Sequence, residues 1–176
     1  EAIAELGDLI DVWLTDFKYA SDALGRSLSH VVDYPAVARR ALVRMKAEVD
    51  RRGGELVSQD GLLKRGMIVR HLVLPGHVDD SCRVLDAIWD AVGDVPITVM
   101  NQYTPNERMR ASAGELSRAV TPEEYEEVLD HADDLGFSRM FWQEGGAVSE
   151  SFTPPFDTTG VLHSAAGPSS SGEAHS

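Results

Sequence analysis

Two short apolar runs constrain this chain more than anything else in it. The first, Asp11-Val-Trp-Leu-Thr-Asp-Phe-Lys18, stops on charged groups. The second, Met67-Ile-Val-Arg-His-Leu-Val-Leu-Pro-Gly76, stops at a Pro-Gly turn, and a helix-length segment separates the two. Runs of this length, bounded by polar and turn residues, read as buried strands: Leu9 to Thr15 and Met67 to Leu74. Charged groups at the ends of buried parallel strands are where α/β proteins place binding chemistry.

The remaining segments extend the same alternation. Glu1 to Leu6 reads as the end of a helix stopped by Gly7, and Lys18 to Asp33 as loop. Pro35 sits at the first turn of a helix with Val37, Ala38, Ala41, Leu42, Met45 and Val49 on one face. Arg51 to Gly66 is a connector with Gly-Gly and Asp-Gly turn signals. Asp79 or Asp80 can cap a helix over residues 81–92, and Pro96 to Met100 reads as a third strand. Residues 106–120 read as irregular or weakly helical. Thr121-Pro-Glu-Glu124 is a capping box with Pro at the first helical position, opening a helix that Gly136 ends. A last strand is expected over Phe137 to Gln143. Residues 1–145 then form one α/β unit, and residues 146–176 an extended, disordered Pro/Gly/Ser-rich tail.

Charge narrows the function. Sixteen Lys and Arg stand against 29 Asp and Glu, a net charge of −13. That surplus of acid argues against a nucleic-acid or anionic-membrane partner, because phosphates attract clustered cations. No run is long enough for a membrane-spanning helix. The single cysteine, Cys82, excludes an internal disulfide and suits a reducing cytoplasm. It supplies no metal site alone, and no three-ligand spacing involves His71 or His77.

The segments Asp16-Phe-Lys18, Ile68-Val-Arg70-His-Leu-Val-Leu-Pro-Gly76 and Val99-Met-Asn-Gln-Tyr-Thr-Pro105 resemble the second half of a radical S-adenosylmethionine (SAM) enzyme. The likeness is to proteins related to pyruvate formate-lyase activating enzyme. It continues through Thr121-Pro-Glu-Glu-Tyr-Glu-Glu and Phe156-Asp-Thr-Thr-Gly-Val161. The resemblance implies an α/β fold, the C-terminal half of a partial (β/α)6 barrel, with these segments at strands four, five and six. In that family a CxxxCxxC loop holds a [4Fe–4S] cluster, SAM binds its open iron, and reductive cleavage gives a radical that abstracts hydrogen from the substrate. In the activases that substrate is a glycine of a partner enzyme.

On this likeness Asp16, Lys18 and Arg70 are the SAM-binding residues. Lys18 pairs with the SAM carboxylate, Asp16 lies beside the methionyl group, and Arg70 points into the barrel near SAM. No catalytic residue is assigned. The cysteine loop and strands one to three of the family, with the Gly-Gly-Glu segment that holds the SAM amino group, have no counterpart in these residues, since the Gly-Gly of residues 53–54 lies in the connector before the strand-five match. The cluster is therefore expected from an N-terminal half or partner chain, and the chain alone is expected to be inactive. Where the activases tend to carry His at the end of strand six, this chain has Gln102-Tyr103.

Simpler readings stand beside these. Asp16 and Lys18 also fit a solvated turn, and Arg70 also fits a structural ion pair with Asp16, since a charge within an apolar strand needs a partner. Cys82, near a helix start, reads as an inert thiol, with a lowered pKa as the alternative. Trp13, Trp89 and Trp142 are expected in the core, and Glu123 to Glu127 on a solvated face. At the level of function the alternative is a non-catalytic remnant or interaction module without a cofactor. A different α/β enzyme of flavodoxin-like form lacks the Gly-rich phosphate loop it would need.

Overall fold

A computed structural model describes residues 2–142. The tail from residue 146, with the Phe156–Val161 stretch, lies outside the described residues, as does Gln143.

Four parallel strands make one sheet in the order β1-β3-β4-β5: β1 (Val12–Asp16), β3 (Leu63–Leu72), β4 (Ile97–Met100) and β5 (Met140–Phe141). A short β2 (Leu56–Val57) pairs antiparallel with the start of β3. The register sets Asp16 beside Arg70 and Arg70 beside Thr98. A short α1 (Ala2–Leu6) precedes β1, and helices α3 (Tyr34–Arg51), α4 (Val78–Val92) and α6 (Pro122–Leu135) connect the parallel strands, as such pairing requires. The protein is thus α/β with a parallel sheet, as the alternation predicts.

Strand alternation divides the sheet into two unlike faces. Met67, Val69, His71 and Val73 of β3 and its exit, with Ile97 and Val99 of β4, are buried. They share one core with Leu42 and Val49 of α3, Val84, Leu85 and Ile88 of α4, and Val128 and Ala132 of α6. The opposite face carries Leu14, Ile68, Arg70, Leu72, Thr98, Met100 and Phe141, where Leu14 and Phe141 are 56% and 54% exposed. Among the described residues, that second face is roofed only at its C-terminal end.

Several expectations are corrected. Residues 18–33 are not all loop: α2 (Asp22–Ser29) forms there, because the Ser21 hydroxyl accepts from the Ala23 and Leu24 amides and His30 closes the helix at φ 56°. The connector at 51–66 holds the β2–β3 hairpin, so β3 begins at Leu63 rather than Met67, turning at Gly61 (φ 77°). Neither Asp79 nor Asp80 caps α4; the helix starts at Val78 and both fall in its first turn. Val37 lies outside the packed face of α3, 44% exposed. Trp13 is core and Trp89 packs edge-on to Phe137 at 5.0 Å, but Trp142 is 51% exposed beyond β5. The last strand is shorter than expected because Phe137 and Ser138 belong to the turn, where Ser138 donates twice to Asp94. The α6 capping box forms as read, with Thr121 and Glu124 capping each other's amides. A short α5 (Glu107–Arg110) and one 3-10 turn at Glu115–Ser117 occupy the weakly helical stretch.

Candidate functional site at the strand ends

The three residues singled out from sequence meet in one cavity. Asp16 is the last residue of β1, Lys18 follows the buried Phe17, and Arg70 lies two residues before the end of β3. Alternation explains the arrangement: Phe17 turns into the core, so its neighbours turn to the other face. Arg70 Nε donates to Asp16 Oδ1 at 2.8 Å, with both side chains 38% exposed. The ion pair weighed as a simpler reading is therefore present, but it lines a cavity of about 410 Å³ rather than closing a core. That volume falls in the range of small-molecule sites, about 300–1,000 Å³. Among the described residues the Lys18 ammonium meets no carboxylate. Two cations and one anion leave the polar wall with one net positive charge, in a chain of net charge −13.

The other walls come from residues that sequence reasoning did not assign. Leu72, Leu74 and Met100 line the sheet side, Tyr19 and Leu28 the α2 side. Tyr103, Asn106, Met109 and Leu116 form a roof from the segment after β4. Tyr103 Oη donates to the Leu116 carbonyl at 2.9 Å, which closes that segment on itself. Arg118 fastens the roof by donating to Glu115 and to both carboxylate oxygens of Glu124, at 2.6–3.1 Å. Glu124 also accepts from the Gly76 and Thr121 amides at 2.7 and 2.9 Å. The Arg118 guanidinium and these donors hold the Glu124 carboxyl at about 2, well below its ordinary 4.5. Gly76 has φ 73°, and a Cβ there would come within 2.5 Å of Glu115, so the roof seats on a position that only glycine fits. Most of the fastening is local in sequence, within Glu115 to Glu124, and only Gly76 joins it from far away; the signal read for it in the sequence was the capping box.

Below the site, the segment from Asp16 to Ala20 is held from the helix side. Phe17 N donates to the Arg70 carbonyl at 2.9 Å. Tyr34 Oη accepts from Lys18 N at 2.9 Å and donates to the Asp16 carbonyl at 3.4 Å. His71 Nδ1 bonds the Phe17 carbonyl at 2.9 Å, and buried Asp80 accepts from Ala20 N at 3.0 Å. Burial pushes the Tyr34 hydroxyl up and the His71 imidazole down, so both are neutral near pH 7.

Fit to the groups implied by the sequence differs. The cavity has cationic donors and an apolar wall that suit a carboxylate-bearing ligand such as SAM. An iron–sulfur cluster does not fit. Cys82 lines an acidic groove between α4 and α6 with Glu123, Glu127 and His131, not the strand-end cavity. Burial and nearby carboxylates raise its thiol rather than lower it, which corrects the activated-thiol alternative. Among the described residues no group of three His, Cys, Asp or Glu can hold a metal ion, and no helix there is long and apolar enough to cross a membrane.

Comparisons with known proteins add one relative. The chain is 29% identical over 142 residues to an uncharacterized protein of Methanocaldococcus jannaschii. The match covers 80% of this chain but 37% of that protein's length. No family model matches the chain, and no solved structure matches it.

Proposed function

We propose that this chain is the SAM-facing portion of a radical SAM iron–sulfur oxidoreductase of the glycyl-radical-enzyme activase kind, its sheet the C-terminal half of a partial (β/α)6 barrel. The observation that carries the reading is the convergence of Asp16, Lys18 and Arg70, chosen from sequence, on one cavity at the strand ends. Lys18 neutralises the SAM carboxylate as a flexible point charge. Arg70, its Nε fixed by Asp16, keeps its terminal N–H groups for a ribose or carboxylate oxygen. Asp16 spends one oxygen on Arg70 and offers the other to the cationic methionyl end. The apolar wall of Met100, Met109 and Leu116 excludes water from the rest of the ligand.

In this reading a cluster would be held by polypeptide outside these 176 residues, an N-terminal half or a partner chain, and would supply the electron for SAM cleavage. The greater length of the archaeal relative supports that arrangement. A cytoplasmic location goes with it, and a protein substrate is one candidate. The alternative reading is an interaction module or remnant without cofactor. The test is anaerobic production of the chain with the polypeptide encoded upstream of it, followed by assay for 5′-deoxyadenosine. The expected result is SAM-dependent product that Lys18→Ala lowers about tenfold, the equivalent of ~1.4 kcal/mol. A complete protein with neither an absorbing iron–sulfur centre nor SAM cleavage supports the remnant.

A further inference from the structure

One buried titratable group is left unused by the reading above. His71 is 3% exposed, on the helix-facing side of β3, opposite to Arg70 beside it. Its Nδ1 bonds the Phe17 carbonyl. A carbonyl only accepts, so Nδ1 carries the proton and the neutral ring leaves a bare lone pair on Nε2. That Nε2 is buried and has no partner among the described residues. A structural histidine would ordinarily have both nitrogens satisfied. Here one bond is made, and it goes to the peptide between the two residues that face the cavity.

We propose that His71 is a positioning residue for the strand-end site: as a neutral Nδ1–H donor it fixes the Phe17 carbonyl and thereby aims Asp16 and Lys18 into the cavity, and its protonation releases them. The inference rests on the SAM reading only for the identity of the ligand. The geometry behind it is the set of ties on residues 16–20. The Phe17 carbonyl is bonded by His71, the Asp16 carbonyl and the Lys18 amide by Tyr34, and the Ala20 amide by Asp80. Within this set, histidine is the group whose ordinary value, 6.5, lies nearest neutrality.

The charges around His71 decide which way it responds. From α4, Asp80 favours the imidazolium, but its two oxygens are already engaged by Ala20 N and Arg83. From α3 the ties to this strand end come through Tyr34, a neutral hydroxyl. Arg70 and Asp16 pair with each other on the opposite face. Burial outweighs both the bond to the Phe17 carbonyl and the attraction of Asp80, each of which favours the imidazolium, so the ring resists its second proton. A proton forced onto Nε2 would be a buried donor with no acceptor, and the strain is relieved by moving the ring and the carbonyl it holds.

The test follows amide hydrogen exchange of Lys18 and Ala20 in the 176-residue chain, together with SAM affinity, about one pH unit above and below 6.5. After correction for intrinsic rates, wild type should exchange at both amides about tenfold faster on the acid side, with the core amide of Val128 unchanged. His71→Asn keeps an N–H donor of the reach of Nδ1 but does not titrate; it should keep slow exchange and lose the pH step. His71→Leu should exchange fast at both values and bind SAM as weakly as Lys18→Ala. The proposal is overturned if His71→Asn shows the wild-type pH step, or if His71→Leu leaves exchange and SAM affinity at wild-type levels. Wild-type chain that shows the exchange pattern without SAM binding supports the clamp and overturns the choice of ligand instead.

Discussion

Arg70 illustrates how a single residue serves two readings. Its ion pair with Asp16 is half-exposed, a setting in which such pairs contribute only about 0–1 kcal/mol to stability. If the pair were structural, Arg70→Leu would be felt chiefly in unfolding; if it belongs to a site, chiefly in binding. We expect urea unfolding of Arg70→Leu to shift by under about 1 kcal/mol, while SAM affinity falls about tenfold or more. Equal, small effects on both would favour the structural pair. Asp16, Lys18 and Arg70 were singled out through a family resemblance; what the residues themselves made legible was their placement off the core, because a charge at the end of an apolar strand points away from it. His71 was not. Its neighbour Arg70 was the conspicuous polar residue, and the value of a buried imidazole depends on which backbone carbonyl lies across from it, which spacing does not reveal.

At the scale of elements, the roof over the cavity depends on α6 more than on its own short helices. Glu124 completes the capping box and also ties Arg118, Thr121 and Gly76 together. Its depressed pKa sets the sign of a pH effect: the stabilisation is full above the ordinary 4.5 and is lost as pH falls toward about 2, where the carboxyl protonates. Glu124→Gln should therefore be clearly less stable than wild type near neutrality, and the gap should close as pH approaches 2. Urea midpoints measured across that range check it; a gap that stays constant with pH would show that the charge on Glu124 is not what matters. The helix itself was legible from Thr121-Pro-Glu-Glu124, because a cap, a proline and a reciprocal glutamate act within one turn. By contrast α2 was hidden by its composition, since a glycine and several serines mask a helix that one Ser21 cap starts and Gly25 packs against Tyr34. The β2 hairpin was hidden for a related reason: two residues cannot display a period.

The whole molecule is defined by what covers its sheet. Parallel sheets are ordinarily buried on both faces. Among the described residues, helices cover one face here, and the other leaves Leu14 on one outer strand, β1, and Phe141 on the opposite outer strand, β5, more than half exposed. Such surfaces and edges favour association. The 176-residue chain alone is expected to self-associate with concentration in sedimentation equilibrium, and Leu14→Glu with Phe141→Glu to shift it toward monomer; a monomeric wild type would contradict this. The α/β alternation was readable along the chain, because each strand and helix carries its own apolar pattern. The uncovered face was not readable residue by residue, since Leu14 is as apolar as any core strand position. The account as a whole rests on an iron–sulfur segment outside these residues. The most direct measurement is the nucleotide sequence upstream of the Glu1 codon. The account predicts an open frame encoding CxxxCxxC; a stop codon close before Glu1, with no such motif in frame, would contradict it.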